Sequence, residues 1–175
     1  LSEILSYLET LSVEEEEIAF LKSLPVFKDT PETFFHALSS LKFSGEVRAV
    51  PEGTVVFPGE PLLQITAPLL EAQLVETWLL SMFNFSTMVA TKAARMVHAA
   101  NGRGVLEFGS RRAHGPMAGV LAARNAFIAG FAATSNVEAH VRHGVPVSGT
   151  MDRFAIQAWE QPGVPRHETE AAFFR

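Results

Sequence analysis

Three short segments combine glycine, small hydroxyl residues and, in one case, two arginines, and each ends an apolar run typical of a buried strand. They are Phe108-Gly109-Ser110-Arg111-Arg112, Thr134-Ser135-Asn136 and Ser148-Gly149-Thr150. Glycine and small hydroxyl residues let backbone N–H groups and hydroxyls reach a phosphate or carboxylate, and a following helix adds the positive end of its dipole. Arg111 and Arg112 add bidentate guanidinium groups, and Phe108 adds a face on which a flat ring stacks. The three segments together predict an anion site.

A repeated alternation of strand and helix patterns positions these segments. The strand patterns are GVLEF, AATSN and VPVSGT, and the helix patterns that follow them are GPMAGVLAARNAFIAGF, VEAHVRHG and MDRFAIQAWE. Such alternation with short links is typical of parallel sheets and α/β barrels, in which ligands bind at the carboxyl ends of the strands. We therefore expect the three segments to meet at one edge of a sheet. Three units are too few for an eight-stranded barrel, so we expect a longer protein or a partner chain.

The first hundred residues follow other patterns. Residues 1–41 are typical of short helices, and residues 43–68 are typical of short strands joined by tight turns, because Gly and Pro recur there between β-branched residues. From residue 69 an apolar periodicity predicts one long helix or two, ended at Asn101-Gly102. We predict one domain over residues 1–100 and a second over residues 101–175, which carries the anion site.

Charge is unevenly distributed along the chain. The sequence has 14 basic and 19 acidic residues, a net charge of −5, which argues against general nucleic-acid binding. Residues 92–124 have the opposite charge balance. They contain six basic side chains from Lys92 to Arg124 and one acidic one, a net charge of +5. A local positive field favours a small anionic ligand. The alternative is that these arginines cover apolar surface with their stems and pair with acids elsewhere.

No segment predicts a membrane or secretory location. The most apolar stretch, residues 77–91, has fifteen residues, fewer than the roughly 20 that span a bilayer. The first residues lack the basic region and long apolar core of a signal peptide. The chain has no Cys, which excludes disulfides and thiolate metal sites. We expect a cytoplasmic protein with no membrane partner.

Longer motifs resemble one family. The segments EFGSRRAHGPMAGVLAARNAFIAGFAATSNV and HGVPVSGT closely resemble nicotinate phosphoribosyltransferases, and the upstream segments VRAVPEGTVVFPGEPLLQITAPLLEAQLVETWLL and NFSTMVATKAAR match the same family. The resemblance runs from about Leu5 to the C-terminus. It implies an α/β fold, in which an α+β small domain is followed by the first strand–helix units of an irregular α/β barrel.

The resemblance also implies an activity. Members of this family transfer the phosphoribosyl group of phosphoribosyl pyrophosphate to nicotinate, giving nicotinate mononucleotide and pyrophosphate. They use Mg²⁺ with phosphoribosyl pyrophosphate and couple the step to ATP hydrolysis. Their dimers share active sites across the interface, so the resemblance implies a homodimer or a larger homo-oligomer.

Site residues follow from the resemblance and from the three segments. Phe108 matches the aromatic residue that stacks on the pyridine ring, and Arg111 matches the arginine beside the ring and phosphate. Ser135 stands where nicotinamide-using relatives have an aspartate, and a neutral residue suits a substrate carboxylate. The catalytic candidates are Arg111, Thr150 and Arg153, with no metal ligand. The substrate-binding candidates are Phe108, Gly109, Ser110, Arg112, Thr134, Ser135, Asn136, Gly149 and Lys92.

The sequence departs from the family pattern after the third segment. Most nicotinate-using members continue GT with a short run that ends in a histidine, which ATP phosphorylates. Here the run is GTMDRF, and Arg153 stands at that position after Asp152. An arginine stays protonated and cannot accept a phosphoryl group as a nucleophile. We therefore do not expect ATP coupling through a phosphohistidine here.

Other interpretations stay open. The chain could be an incomplete or non-catalytic binding or structural relative of the family. Residues 45–65 also resemble the hammerhead of a biotinyl or lipoyl carrier, although the chain has no lysine between Lys42 and Lys92 to carry such a group.

Two further side-chain roles are also open. A zinc site at His140, His143 and His114 competes with ordinary exposed histidines. Glu107 either orients Arg111 or forms a plain buried ion pair.

Overall fold

The structure, a computed structural model, describes residues 1–149, 151–160 and 162–174. Its strands are β1 (Glu46–Ala49), β2 (Leu63–Thr66), β3 (Leu106–Glu107) and β4 (Ala133–Thr134). Its helices are α1 (Ser2–Glu9), α2 (Glu15–Ser23), α3 (Glu32–Ser39), α4 (Leu69–Ala100), α5 (Pro116–Ile128), α6 (Val137–His143), α7 (Arg153–Ala158) and α8 (Arg166–Phe173), with 3-10 helices at Pro25–Phe27 and Ser110–Arg112. The chain is an α/β protein, as the sequence predicts.

The chain divides into two compact units, Leu1–Met88 and Val89–Arg175. The division lies within α4, which is one continuous helix of 32 residues rather than two. This helix ends as predicted, because Asn101 (φ 49°) and Gly102 (φ 83°) adopt the left-handed conformation that stops a helix. The domain division after residue 100 stays a prediction. In the described residues, no helix has both the length and the apolar character needed to cross a membrane.

The first unit is built around one apolar cluster. α1 places Ile4 and Leu8 on one face, four residues apart, and they are 5% and 2% exposed. The ring of Tyr7 stacks on that of Trp78, with centroids 3.9 Å apart. Burying a large apolar side chain contributes about 1.5–3 kcal/mol, so this cluster holds the short helices in place. Its buried members are Ile4, Leu8, Leu11, Leu38, Leu41, Val75 and Leu79.

The strand pattern of residues 43–68 forms an antiparallel pair in the first unit. Glu46 lies opposite Thr66, and Ala49 lies opposite Leu63. Gly45 precedes β1 at a point where a Cβ atom would lie 2.7 Å from the carbonyl oxygen of Thr66. A glycine is therefore required where the chain enters the pair.

The second unit contains the predicted parallel strands. β3 and β4 pair in parallel, with Leu106 opposite Ala133 and Glu107 opposite Thr134. A parallel bridge joins Thr134 to Val147 on the next segment. Both β3 and β4 have two residues, fewer than the patterns GVLEF and AATSN suggest. The order of strands is nevertheless the one expected from strand–helix–strand units.

Small residues let the helices of the second unit pack closely. Val120 and Ala123 of α5 form a buried cluster with Ala139 of α6 and with Val145. A second cluster joins Ala93 and Ala126 to Phe131, with Val97, Val105 and Ala129 packed against it. Alanine at these contacts leaves room for the neighbouring helix backbone, and the packing fixes the helices that follow β3 and β4.

Candidate functional site

The three predicted segments meet at the carboxyl edge of the parallel strands. The backbone N–H of Ser135 donates to the carbonyl oxygen of Glu107 at 3.0 Å, and the N–H of Ser148 donates to that of Thr134 at 2.9 Å. Residues that follow neighbouring strands therefore leave the sheet side by side. Gly149 is exposed next to Ser148, and Thr150 lies outside the described residues.

The first segment forms a compact turn that presents a ring and two cations. Phe108 directly follows β3 and is 38% exposed. The next residues form the 3-10 helix Ser110–Arg112, closed by a 2.7 Å bond from the Arg112 N–H to the Gly109 carbonyl oxygen. The side chains of Arg111 and Arg112 are both exposed. An aromatic face and guanidinium groups are therefore open to a planar anion.

The carboxylate of Glu107 joins the ends of the two strands. One oxygen accepts a 2.5 Å bond from the Gly109 N–H. The other accepts a 2.6 Å bond from the Thr134 hydroxyl. The sequence left open whether Glu107 orients Arg111 or forms an ion pair. The structure gives a different answer, because both oxygens accept hydrogen bonds from uncharged donors.

Thr134 and Asn136 continue this connection. Thr134 is 0% exposed, and its hydroxyl accepts a 3.0 Å bond from the Asn136 N–H. The Asn136 carboxamide caps α6 by accepting from the Ala139 N–H at 3.1 Å, and its amino group donates to the Ser110 hydroxyl at 3.1 Å. These contacts give Thr134 and Asn136 a supporting role, and their contact with substrate stays a prediction.

Helix α5 lies directly against the turn. A Cβ atom at Gly119 would lie 3.6 Å from Ser110 Cα and Cβ and from Asn136 Nδ2. The missing side chain lets the helix backbone support both residues, and a large side chain at this position would displace them.

The other predicted site residues are exposed on helices. Lys92 lies on α4, and Arg153 is the first residue of α7. Asp152, before Arg153, caps α7 by accepting a 2.9 Å bond from the Phe154 N–H. The described residues give no contact of Lys92 or Arg153 that bears on their predicted roles, which stay predictions.

The zinc alternative does not fit the structure. Nδ1 of His140 lies 3.0 Å from the Val145 carbonyl oxygen, a structural contact at the end of α6. Within residues 1–149, 151–160 and 162–174, no group of three or more His, Asp or Glu side chains could hold a metal ion. The three histidines considered from the sequence are therefore not brought together.

Similarity to known proteins agrees with the motifs. Residues 1–84 match the family model described as the nicotinate phosphoribosyltransferase N-terminal domain. This match includes the strand-rich residues 43–68, so it replaces the carrier-domain alternative. The chain is 43% identical over 160 residues to nicotinate phosphoribosyltransferase pncB2 of Mycobacterium tuberculosis, covering 91% of this chain and 34% of that protein.

Relatives from other organisms give the same result. A Bacillus subtilis nicotinate phosphoribosyltransferase is 41% identical over 159 residues, covering 91% of this chain and 32% of its own length. The crystal structure of human nicotinic acid phosphoribosyltransferase superimposes with a TM-score of 0.83 at 38% identity, covering 94% of this chain and 34% of that one. The chain thus spans about a third of the length of these relatives. It belongs to the nicotinate phosphoribosyltransferase family.

Proposed function

We propose that the protein carrying this chain is a nicotinate phosphoribosyltransferase, which forms nicotinate mononucleotide and pyrophosphate from nicotinate and phosphoribosyl pyrophosphate. The observation that carries the proposal is the convergence of the Phe108–Arg112 turn and Ser135 at one carboxyl edge, through the 3.0 Å bond from Ser135 to Glu107. Relatives named for this activity, at 41–43% identity, support it.

The proposed site fits the chemistry of nicotinate. The substrate is a flat aromatic ring with a carboxylate, so it needs a stacking face and a cation at the edge of the ring. Phe108 supplies the face and Arg111 supplies the cation, and both are accessible. Ser135 is uncharged and exposed, so it does not repel the carboxylate as an aspartate would.

The proposed reaction is a substitution at the anomeric carbon of phosphoribosyl pyrophosphate. The lone pair of the pyridine nitrogen forms the new bond to C1 of the ribose. The bond from C1 to the pyrophosphate oxygen breaks, and its electron pair leaves with pyrophosphate. Nothing is oxidised or reduced. The task of these residues is to hold the ring so that its nitrogen faces C1, and orientation of this kind is a large source of catalysis.

Metal and ATP enter the proposal in different ways. We expect Mg²⁺ to arrive with phosphoribosyl pyrophosphate. The described residues contain no group of three His, Asp or Glu that fits a metal ion, and no step above passes through one. ATP coupling through a phosphohistidine at position 153 is not proposed, because Arg153 cannot accept the phosphoryl group.

We further propose a place and an assembly for this activity. Formation of nicotinate mononucleotide belongs to NAD biosynthesis, and we propose that the protein acts in the cytoplasm. A homodimer or a larger homo-oligomer is the proposed assembly, in agreement with the family resemblance. No nucleic acid or membrane partner is part of the proposal.

Product formation tests the proposal directly. The full-length gene product is incubated with nicotinate and phosphoribosyl pyrophosphate, with and without ATP, and nicotinate mononucleotide is quantified by chromatography. The expected result is product that depends on phosphoribosyl pyrophosphate and is much lower with nicotinamide. A protein that binds nicotinate but forms no product would instead support the non-catalytic relative.

A further inference from the structure

The carboxylate of Glu107 lies beside two groups that each need a hydrogen-bond acceptor. The Gly109 N–H can only donate, and it lies 2.5 Å from one carboxylate oxygen. The Thr134 hydroxyl already accepts from the Asn136 N–H at 3.0 Å, so its own proton is directed to the other oxygen of Glu107, 2.6 Å away. A side chain with two acceptor oxygens and no donor satisfies both, and an ionised carboxylate has this property.

These bonds reach beyond the paired strands. The pairing of β3 with β4 covers two residue pairs, and Gly109 lies past its end. Glu107 and Thr134 are 27 positions apart in sequence. Glu107, Thr134, Asn136 and Ser110 therefore form a chain of hydrogen bonds, in which Asn136 takes part through both its backbone N–H and its side-chain amide. This chain connects the turn to β4 where the strand pairing has ended.

The residues held by this connection are those proposed to contact the substrate. Phe108 lies between Glu107 and Gly109, both of which are fixed by the carboxylate. Arg111 lies in the 3-10 helix that starts at Ser110, and Ser110 accepts from Asn136. Ser135 lies between Thr134 and Asn136, and its N–H is bonded to the Glu107 carbonyl oxygen.

We propose that Glu107 is a positioning residue of the nicotinate site, whose carboxylate holds the Phe108–Arg112 turn in register with Ser135, the residue that follows β4. The proposal rests on the proposed function and deepens it, because it names a residue that acts on substrate specificity and affinity through its neighbours. We assign Glu107 no direct contact with the substrate, because the hydrogen bonds that its two oxygens accept come from Gly109 and Thr134.

The variant Glu107→Gln isolates the acceptor requirement with little change of shape. A carboxamide has one acceptor and one donor group, so a donor faces either Gly109 or Thr134 whichever way it turns. In the full-length gene product, the nicotinate dissociation constant and KM should rise by about tenfold, the equivalent of one hydrogen bond. The KM for phosphoribosyl pyrophosphate should change less, because Phe108 and Ser135, which adjoin the altered bonds, are both proposed to contact nicotinate.

Two substitutions at Thr134, one that removes its hydroxyl and one that keeps it, provide a second test. Thr134→Val removes the donor and should weaken nicotinate binding as Glu107→Gln does. Thr134→Ser keeps the hydroxyl and should retain binding close to wild type. Amide hydrogen exchange of the segment around Gly109 should accelerate in Glu107→Gln and stay slow in Thr134→Ser. The matched control is Glu138→Gln, an exposed carboxylate on α6 whose partner is Arg142.

The outcomes separate the two proposals. Wild-type protein that binds no nicotinate contradicts the proposed function and this inference with it. Wild-type protein that binds nicotinate while Glu107→Gln and Thr134→Val bind it equally well contradicts the positioning role alone. That role is also contradicted if Thr134→Ser loses binding, or if the variants lower the melting temperature without changing the nicotinate KM of the folded protein.

Discussion

Arg111 is the residue at which the proposed function predicts a direct loss of nicotinate binding free energy on substitution. Under the proposed function, replacing its exposed guanidinium by a methyl group would remove a charged hydrogen bond to the substrate carboxylate or phosphate. Arg111→Ala should therefore weaken nicotinate binding by about 1.5–3 kcal/mol. Isothermal titration calorimetry of the full-length protein measures this change. Its control is Arg142→Ala, which removes an exposed arginine paired with Glu138 at 2.6 Å on α6, and unchanged binding in Arg111→Ala would remove Arg111 from the site.

Ser135 gives a second prediction, about the choice between acid and amide. At the proposed site, Ser135→Asp would place a negative charge beside the substrate carboxylate. Two such charges about 4 Å apart repel by roughly 1–4 kcal/mol. The preference for nicotinate over nicotinamide should fall accordingly, as measured by competition between the two substrates.

A matched substitution controls for size at this position. Ser135→Asn introduces a side chain of the shape of aspartate without its charge, and it should keep the preference for nicotinate. If Ser135→Asp and Ser135→Asn shift the preference equally, charge at this position is not what selects the acid.

Single residues also show what the sequence could not predict. Local motifs and the family resemblance predict Phe108, Arg111 and Ser135 as site residues, and the structure places them at one edge of the strands. They do not predict the partners of Glu107, because Thr134 is 27 positions away and the contact exists only once the strands have paired. Glycine at 109 and a threonine at 134 are too common to reveal such a bond from spacing.

Helix α6 carries a prediction at the scale of an element. It ends at Gly144, whose φ of 68° is left-handed and whose missing Cβ would meet nothing within 4 Å. Gly144→Ala should therefore destabilise the protein by about 1 kcal/mol through backbone strain alone. Chemical denaturation measures the change in free energy of unfolding.

The control for this helix end is another open glycine. Gly104 also has free space around its missing Cβ, and its φ is not in the left-handed range. Gly104→Ala should leave stability unchanged or raise it slightly, since alanine reduces the freedom of the unfolded chain. Equal destabilisation by both substitutions would show that strain at Gly144 is not the cause.

Element boundaries were predictable where a local conformation sets them. Asn101-Gly102 is the predicted end of α4, and Gly144 is the last residue of the helix pattern VEAHVRHG. All three residues adopt positive φ angles. The 3-10 helix at Ser110–Arg112 and the shortness of β3 were not predicted. The 3-10 helix lies against α5 at Gly119, a tertiary contact that no local pattern of turn residues specifies.

The molecule as a whole is expected to depend on more chain than these 175 residues. In the described part of the chain, β3 pairs on one side only, with β4, and unpaired strand edges favour association. Apolar side chains such as Leu80 and Phe154 are 61% and 73% exposed. Residues 1–175 expressed alone should therefore self-associate and form no nicotinate mononucleotide.

Light scattering and a product assay decide this expectation, with the full-length gene product as the control. The physical basis is the unpaired strand edge and the exposed apolar side chains, together with a chain that spans about a third of the length of its relatives. A monodisperse monomer of residues 1–175 that converts nicotinate would show that the small chain is a sufficient enzyme.

The family could be predicted from the sequence because its motifs extend over most of the chain. The division within α4 could not, since the helix pattern is continuous there.

The parallel pairing of β3, β4 and Val147 also sets the order in which the segments of the site are synthesised and can pair. Parallel strands cannot pair until the connection between them has been made, and forty positions separate Phe108 from Ser148. A ribosome adding about 5–20 residues per second needs roughly 2–8 s to cover them. The turn that would receive nicotinate is therefore synthesised seconds before its neighbours exist. At the proposed site, free nicotinate would stabilise only a chain in which these later segments have been synthesised and paired, so it would act late in folding and not as a template for it.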